Sequence, residues 1–454
     1  MGVPWEVCMF TRRAFTALAS VTLAGQAAAQ TPANGARRVE VEALRRFAET
    51  THPRGREAAG DADWRARWDA LAAEADTLSD GAYFIRTRRA LGWLKDGHTT
   101  VLPFEFTGGP PPGVFQLGLP IRVRAFHDGL YVTAAKGDAL ALLGARITRL
   151  GSTDAATLMR TIATQWCGND AWAHRWAGHQ VSSPALLEGM GVIGDATSPV
   201  AIEAMHGARR IRLSLAPRRD ADSNLRDVER TPAPREGWEA SAGLGNYARI
   251  EGRAVYISCN DMNDIEGKTF VDFTRECFAT MEDAGAERLI FDVRRNGGGN
   301  NFWPEALRKR ILRSRFNRPG GLYVLTSPMT FSAAQNPTSR LERDSFAIFV
   351  GEPTGGAPNH YGDAQPFNGA ASGLTSIVST IPWFDSYPQD QREWILPDLP
   401  APETFADWRS GADRALEIAM THTTADETDE LVRARVFYFA RASQDAGWTP
   451  FWRN

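Results

Sequence analysis

The sequence predicts an α/β protein that also carries an N-terminal helical region and a β-rich accessory module. In the C-terminal half, the runs AVYIS, LIFDV, LYVLT and FAIFV alternate with helical segments, as in a largely parallel sheet with helical crossovers. LIFDV and FAIFV are apolar nearly throughout, as expected for strands covered on both faces. With 454 residues, 43% of them hydrophobic, the chain can bury the cores of two or three domains.

The N-terminus has the features of an export signal. Arg12 and Arg13 precede an apolar run over residues 14–25, and the small residues Ala27 and Ala29 precede Gln30. Residues 1–29 are therefore predicted to be a signal peptide, by either the twin-arginine or the Sec route, and the mature protein to be periplasmic or secreted. The apolar run is shorter than the roughly 20 residues that a membrane span needs, so no stable span is expected after signal removal.

Residues 30–109 are predicted to form the helical region. Trp64, Trp68, Leu71 and Leu78 recur at helical spacing. Asp96-Gly97 ends the pattern, because glycine stops helices readily, and this places His98 just beyond the last helix.

The remaining boundaries follow from composition. Residues 110–217 contain the β-type runs IRVRAF, LYVTAA, ARITRL and RIRLSL with a helix near Ala155 to Trp166, and are predicted to form the β-rich module. Residues 218–239 are charged and proline-bearing, which predicts a linker. The α/β domain is expected over 240–424, followed by a C-terminal helix over 425–454.

Charge and cysteine content exclude several classes of partner. A formal charge of -3, with both signs spread along the chain, gives no basic surface for nucleic acid. Cys8 lies in the signal, which leaves Cys167, Cys259 and Cys277 without metal-type spacing. Buried thiols are expected, although one disulfide is possible; no metal and no cofactor are predicted, and the oligomeric state is left open.

The chemistry is expected at three loops, because ligands of open α/β sheets bind beyond the carboxyl ends of the strands. Residues 294–300 contain three consecutive glycines, but no Gly-Lys-Ser/Thr ending of a phosphate loop follows. Residues 327–334 place Ser332 at the start of a helix, where free N–H groups could stabilise an oxyanion, or where the serine could simply be an N-cap. Residues 351–363 are glycine-rich and suggest the wall or lid of a pocket.

Five motifs, in order, carry a family resemblance: DGHT, LIFDVRRNGGGN, TFSAA, VGEPTGG and LPD. Together they resemble the tail-specific (C-terminal processing) and tricorn-core superfamily of serine peptidases. The resemblance implies a ClpP/crotonase-like catalytic domain and a degenerate PDZ-like module around residues 119–162. Peptide or protein would be the substrate.

One departure bears on the mechanism. The Ser/Lys branch of this superfamily has lysine after the T-x-G of the third loop, where this chain has Ala357. The chain instead resembles the Ser-His tricorn-type branch, which implies Ser332 as nucleophile, His98 as general base and Glu393 as the orienting acid. By analogy, the oxyanion would be held by the N–H of Ala333 and by that of Gly297 or Gly298.

Several assignments stay open. His360 is an alternative base or a substrate contact, and the acidic neighbours of Glu393 compete with it, namely Asp385, Asp390 and Asp398. Weaker candidates for substrate binding are Asn296, Gly355, Gly356, His360 and Trp383. The predicted function is a serine-type peptidase; the alternatives are a non-catalytic ligand- or peptide-binding relative and an esterase-type acyl hydrolase on the same site.

Overall fold

The computed structural model describes residues 35–102, 112–242, 245–265, 267–423 and 448–453. The predicted signal peptide, residues 1–29, lies outside this part of the chain. So does most of the predicted C-terminal helix, and residues 448–453 at its end carry no helix. No helix in the described ranges is long and apolar enough to cross a bilayer.

The N-terminal region is helical, as its apolar spacing predicts. Its helices are α1 (Ala36–Thr51), α2 (Gly55–Gly60), α3 (Ala62–Glu74) and α4 (Asp80–Leu91), with a 3-10 turn at Gly92–Leu94. Asp61 caps α3 by accepting the Trp64 N–H, and Ser79 caps α4 in the same way through Ala82. The second cap divides the predicted apolar stripe into two helices. The DGHT turn follows, and then a short strand, β1 (Thr100–Leu102).

The middle of the chain forms an antiparallel sheet with helices. Its strands are β2 (Ile121–Phe126), β3 (Gly129–Ala135), β4 (Arg146–Leu150), β5 (Thr153–Asp154), β6 (Val200–His206), β7 (Arg209–Leu215) and β8 (Arg226–Asp227), with main order β2-β3-β4-β6-β7. A 3-10 turn at Gly113–Gln116 precedes the sheet and another, Gly137–Leu142, follows β3. The four predicted strands fall on β2, β3, β4 and β7.

This module contains more helix than the sequence predicted. α5 (Ala155–Gln165) lies where expected, but α6 (Asp170–Val181) and α7 (Pro184–Gly189) were not predicted. The buried face of α6 includes small and polar residues such as Ala173, His174 and Gly178, so the hydrophobic periodicity is weak. Gly178 is needed there because a Cβ would collide with the Val123 carbonyl of β2.

The predicted linker, residues 218–239, is attached to both neighbouring sheets. β8 pairs with β3, and α8 (Pro234–Ala242) begins within the segment. Arg235 reaches the α/β domain, with its guanidinium 3.8 Å from Asp292. Arg235 therefore anchors the segment to the α/β domain, while most of its other charged residues are exposed to solvent.

The C-terminal half contains the predicted largely parallel sheet. Its strands are β9 (Asn246–Glu251), β10 (Ala254–Cys259), β11 (Arg288–Asp292), β12 (Leu322–Thr326), β13 (Ile348–Gly351) and β18 (Leu399–Pro400), in the order β18-β13-β12-β11-β10-β9. All neighbours run parallel except β9, which pairs antiparallel with β10. The helices of this half are α9 (Phe270–Thr280), α10 (Glu305–Leu312), α11 (Gln335–Asp344), α12 (Phe405–Ser410) and α13 (Arg414–Thr421).

Two small ribbons connect distant parts of the chain. One pairs β14 (Asn359–Gly362) with β17 (Ile381–Phe384), and the other contains β15 (Gln365–Asn368) and β16 (Thr375–Val378). β1 joins the second ribbon by pairing antiparallel with β16, in the register Thr100 to Ile377. Because the DGHT turn immediately precedes β1, this pairing carries the turn across to the α/β domain.

Candidate active site

Ser332 lies at a sharp, strained turn after β12. Phe331 is extended, Ser332 has a left-handed φ of 53°, and a 3-10 turn at Ser332–Ala334 then leads into α11. A non-glycine residue in this region costs about 1–2 kcal/mol. Such strain is typical of functional positions, because the surrounding structure must hold it in place. The serine is partly exposed while its neighbours Phe331 and Ala333 are buried.

The His98 ring lies against the residue that precedes this serine. His98 and Phe331 stack with ring centroids 4.3 Å apart, and Phe331 stacks in turn on Trp172 of α6 at 3.9 Å. Gly97 makes the approach possible, since a Cβ there would lie 2.9 Å from the Phe331 ring. In the described structure no hydrogen bond joins Ser332 to His98, and the buried His98 Nε2 has no partner.

The glycine triplet is packed directly on the serine. A Cβ on Gly298, whose φ is 125°, would lie 2.9 Å from Ser332 Oγ and 3.1 Å from the Ala333 nitrogen. The Gly298 N–H is occupied, because it donates to Asn296 Oδ1 at 2.9 Å. Among the described residues, the N–H groups of Gly297 and Ala333 meet no acceptor. Of the predicted oxyanion donors, these two are free.

The Asn296 side chain is hydrogen-bonded within the protein, to the glycine triplet and to β10. Its side chain is fully buried and donates to the Cys259 carbonyl at 2.8 Å, besides accepting from Gly298. It therefore fixes the glycine triplet to the end of β10.

A buried ionic network holds the base of the same loop. Asp292 ends β11 and accepts hydrogen bonds from the Tyr256 hydroxyl at 2.7 Å and from the Arg294 guanidinium, which also contacts Asp413 at 2.6 Å. Burial would raise the pKa of Asp292, but the charges of Arg294 and Arg235 outweigh it and lower that pKa. The carboxylate is thus ionised and fully paired, which fixes where the glycine triplet begins.

The third loop is joined to the serine loop. The N–H groups of Gly355 and Gly356 both donate to the Thr330 carbonyl, at 3.0 and 3.2 Å. Both glycines are buried, and a Cβ on Gly355 would lie 2.9 Å from the Trp172 ring. These residues pack against the Ser332 loop from behind.

Glu393 forms no hydrogen bond or ion pair with His98 in the described structure. Its side chain is exposed, and among the described residues only its backbone carbonyl is engaged, by Asn169 Nδ2 at 2.6 Å. Within the described residues, the His98 ring forms its one ion-pair contact with Asp96, whose Oδ1 lies 3.8 Å from Nδ1.

The other acidic candidates are engaged elsewhere. Asp385 contacts Arg340 at 2.6 Å and Asn336, Asp390 pairs with Arg392, and Asp398 accepts the Phe349 N–H at 2.8 Å. All three serve the fold around α11 and β13.

Asp96 has no role assigned from the sequence, although it belongs to the DGHT motif. It is 3% exposed and accepts hydrogen bonds from the hydroxyls of Thr99 and Ser379, both at 2.6 Å, and from the His98 N–H at 3.0 Å. His52 approaches its other side, with Nε2 3.4 Å from Oδ2. An aspartate two residues before the proposed base was the sequence signal for this carboxylate.

His360 completes the aromatic stack on the opposite face of His98. Their ring centroids are 5.7 Å apart, and His360 lies opposite Trp383 in the β14–β17 ribbon. Burial first, and the nearby His98 charge second, lower the pKa of His360 to about 3. So weak a base is poorly matched to accepting a serine proton, which favours His98.

The described cysteines form no disulfide, and the described residues form no metal-binding group. Cys167, Cys259 and Cys277 are buried and free. Burial raises the pKa of Cys167 to about 12, so that thiol is inert at neutral pH. Across the described ranges, no group of three or more His, Cys, Asp or Glu side chains is arranged to hold a metal ion.

Comparison with known proteins finds a likeness in structure only. No family model and no curated protein matches the chain. The structure of a CPAF mutant matches with a TM-score of 0.55 at 12% identity, covering 86% of this chain and 98% of that one. Mature CPAF complexed with lactacystin matches with a TM-score of 0.51 at 11% identity, covering 90% and 98%.

A photosystem II D1 C-terminal processing protease matches with a TM-score of 0.38 at 14% identity, covering 84% of this chain and 99% of that one. The two CPAF structures span nearly the whole chain, so the arrangement of helical region, antiparallel module and parallel sheet is shared with them. The chain thus has the overall fold of CPAF.

Proposed function

We propose that this protein is a serine peptidase in which Ser332 is the nucleophile and His98 the general base. One observation carries the proposal: a strained, partly exposed serine, two unpaired backbone N–H groups and an imidazole meet at the carboxyl edge of a parallel sheet. The resemblance of the five motifs to tail-specific and tricorn-type peptidases supports the same reaction. It also suggests the ClpP/crotonase-like and PDZ-like character of the two modules.

The chemistry assigns one role to each group. Serine is a weak nucleophile at neutral pH and needs a base, so His98 Nε2 takes the Ser332 proton as Oγ attacks the peptide carbonyl. The same nitrogen returns the proton to the leaving amine, and water then hydrolyses the acyl-enzyme. The missing hydrogen bond between the two side chains does not oppose this, because catalytic hydrogen bonds often tighten only with substrate bound.

The oxyanion is assigned to the N–H groups of Gly297 and Ala333. A donor of this kind is worth about 3–4 kcal/mol of transition-state stabilisation. Gly298 is assigned a steric role, because its own N–H is bonded to Asn296.

Other parts of the proposal rest on the sequence. Ala357 in place of lysine supports the Ser-His branch. The signal-like N-terminus supports an exported protein. For the orienting acid, Glu393 is supported by resemblance and Asp96 by proximity.

A fluorophosphonate probe tests the nucleophile. Wild-type protein is expected to label, Ser332→Ala not at all, and His98→Ala at least 100-fold more slowly. Ser410→Ala, at an exposed serine on α12, is the matched control and should label normally. Labelling that persists in Ser332→Ala would refute the assignment.

A peptide library and a panel of small esters then separate peptidase from esterase. Cleavage of peptide bonds is expected, whereas hydrolysis of esters with no cleavage of any peptide would indicate an esterase, because a serine peptidase also hydrolyses the more reactive esters. Binding of peptides without labelling or turnover would instead indicate a non-catalytic binding protein.

A further inference from the structure

We propose that Asp96 is the carboxylate that orients His98, with His52 fixing Asp96 from behind. This inference rests on the proposed function, since it concerns the base of the same reaction. The Asp96 oxygens are divided between the two imidazoles: Oδ1 lies 3.8 Å from His98 Nδ1, and Oδ2 lies 3.4 Å from His52 Nε2.

Hydrogen bonding determines which nitrogen of His52 carries the proton. Its Nδ1 accepts the Arg54 N–H at 3.0 Å, so the proton of the neutral ring lies on Nε2. That nitrogen faces Asp96, and the His52 side chain is fully buried. No hydrogen bond is formed at this distance of 3.4 Å, but the His52 N–H faces the Asp96 carboxylate and favours its negative charge.

The same reasoning applied to His98 gives a productive tautomer. A proton on Nδ1 points toward Asp96 and leaves the lone pair on Nε2, the buried atom that has no partner among the described residues. Serine catalysis needs this tautomer, because Nε2 must receive the Ser332 proton while the carboxylate stabilises the resulting imidazolium. Asp96 keeps its charge throughout and takes no proton.

The environment keeps Asp96 ionised. Burial would raise its pKa, but the neighbouring imidazoles of His52 and His98 outweigh burial and hold the pKa well below the usual range. The hydroxyls of Thr99 and Ser379 donate to the carboxylate as well. No arginine or lysine is paired with Asp96 in the described structure, so its charge is available to the imidazoles.

Glu393 lacks these features, since its side chain is exposed and makes no ion pair with the described residues. The two carboxylates therefore give opposite expectations. Removing the Asp96 charge should impair proton transfer by His98 and lower activity strongly. Removing the Glu393 charge should lower activity much less, because that side chain is exposed.

The test compares Asp96→Asn with Glu393→Gln in the full chain, using fluorophosphonate labelling and peptide turnover. Asp96→Asn is expected to lose about 10³- to 10⁴-fold in kcat with KM within about threefold. The loss in Asp96→Asn should exceed that in Glu393→Gln at least tenfold.

Asp390→Asn controls for a purely structural role, because it removes the charge of a buried carboxylate that pairs with Arg392 and, in the described structure, makes no ion pair with His98. It should lower the urea midpoint while labelling stays within about threefold of wild type. If Asp96→Asn does not fold, His52→Gln carries the test, with an expected loss of about tenfold in kcat.

A loss in Asp96→Asn that lies in KM rather than in kcat, a larger loss in Glu393→Gln, or wild-type turnover in His52→Gln would each overturn the proposal. Failure of the proposed function has a different signature: the wild type itself would not label, or Ser332→Ala would label.

Discussion

Replacing Gly298 with alanine should abolish labelling of Ser332 by a fluorophosphonate while leaving the protein folded. The new Cβ would lie 2.6 Å from Ser332 Cβ and 2.9 Å from Ser332 Oγ. Contacts between carbon atoms are optimal near 3.5–4.0 Å, so the serine or the triplet must move by roughly 1 Å. The variant also places a non-glycine residue at a φ of 125°.

The size of the effect follows from this displacement. A misplacement of about 1 Å at a catalytic centre costs about 100-fold in rate. Moving the triplet also withdraws the Gly297 N–H from the oxyanion position, worth a further loss of about 100-fold or more. Activity should therefore fall between about 10²- and 10⁴-fold, whereas backbone strain should lower the free energy of unfolding by about 1–3 kcal/mol.

Gly299→Ala is the matched control. Its φ is 128°, but its Cβ would meet Asn263 and the Met262 backbone instead of Ser332. Fluorophosphonate labelling, peptide turnover and urea denaturation of both variants separate strain from the clash at the nucleophile. Equal losses of activity in the two variants, or wild-type labelling in Gly298→Ala, would refute the steric argument.

Three further predictions concern stability. Ser332→Gly should be more stable than Ser332→Ala by about 0.5–1 kcal/mol in urea denaturation, because relief of the positive φ outweighs the added backbone entropy. Burial, with nearby positive charge, lowers the pKa of His174 to about 3, so protonation of the unfolded chain should cost stability as pH falls from about 6.5 toward 3. His174→Gln should flatten that loss in pH-dependent denaturation, whereas His206→Gln, at an exposed site, should not. Burial and then Glu403 raise the pKa of Glu352 to about 8, so stability should fall as pH rises toward 8 and Glu352→Gln should be the more stable protein at pH 9.

The strands of the C-terminal half could be predicted because their chemistry is local. A strand buried on both faces must be apolar along its length, and LIFDV and FAIFV satisfy this without reference to the rest of the chain. α6 could not be predicted in this way. Its buried face includes Gly178, where a Cβ would prevent the close approach to β2. Such a contact depends on a strand far away in the sequence.

The same distinction applies to the site. The position of Ser332 at a helix start after a buried strand was predictable, because this is a local sequence pattern, and so was the position of the glycine triplet after LIFDV. The partner of His98 was not, because Asp96 acquires its surroundings from His52 and Ser379, which lie on opposite sides of it in the chain. Nor could the sequence predict which backbone N–H groups are free, since the hydrogen bond from Gly298 to Asn296 decides which donors remain.

The stack of Trp172, Phe331 and His98 draws one ring from each of the three regions. Gly168, in the antiparallel module, approaches the DGHT turn so closely that its Cβ would lie 3.1 Å from the Gly97 Cα. The module therefore forms part of the wall behind Ser332, and its docking limits where the His98 ring can lie. Because Phe331 immediately precedes Ser332 and stacks on His98, a shift of Trp172 would reach both residues through this one side chain.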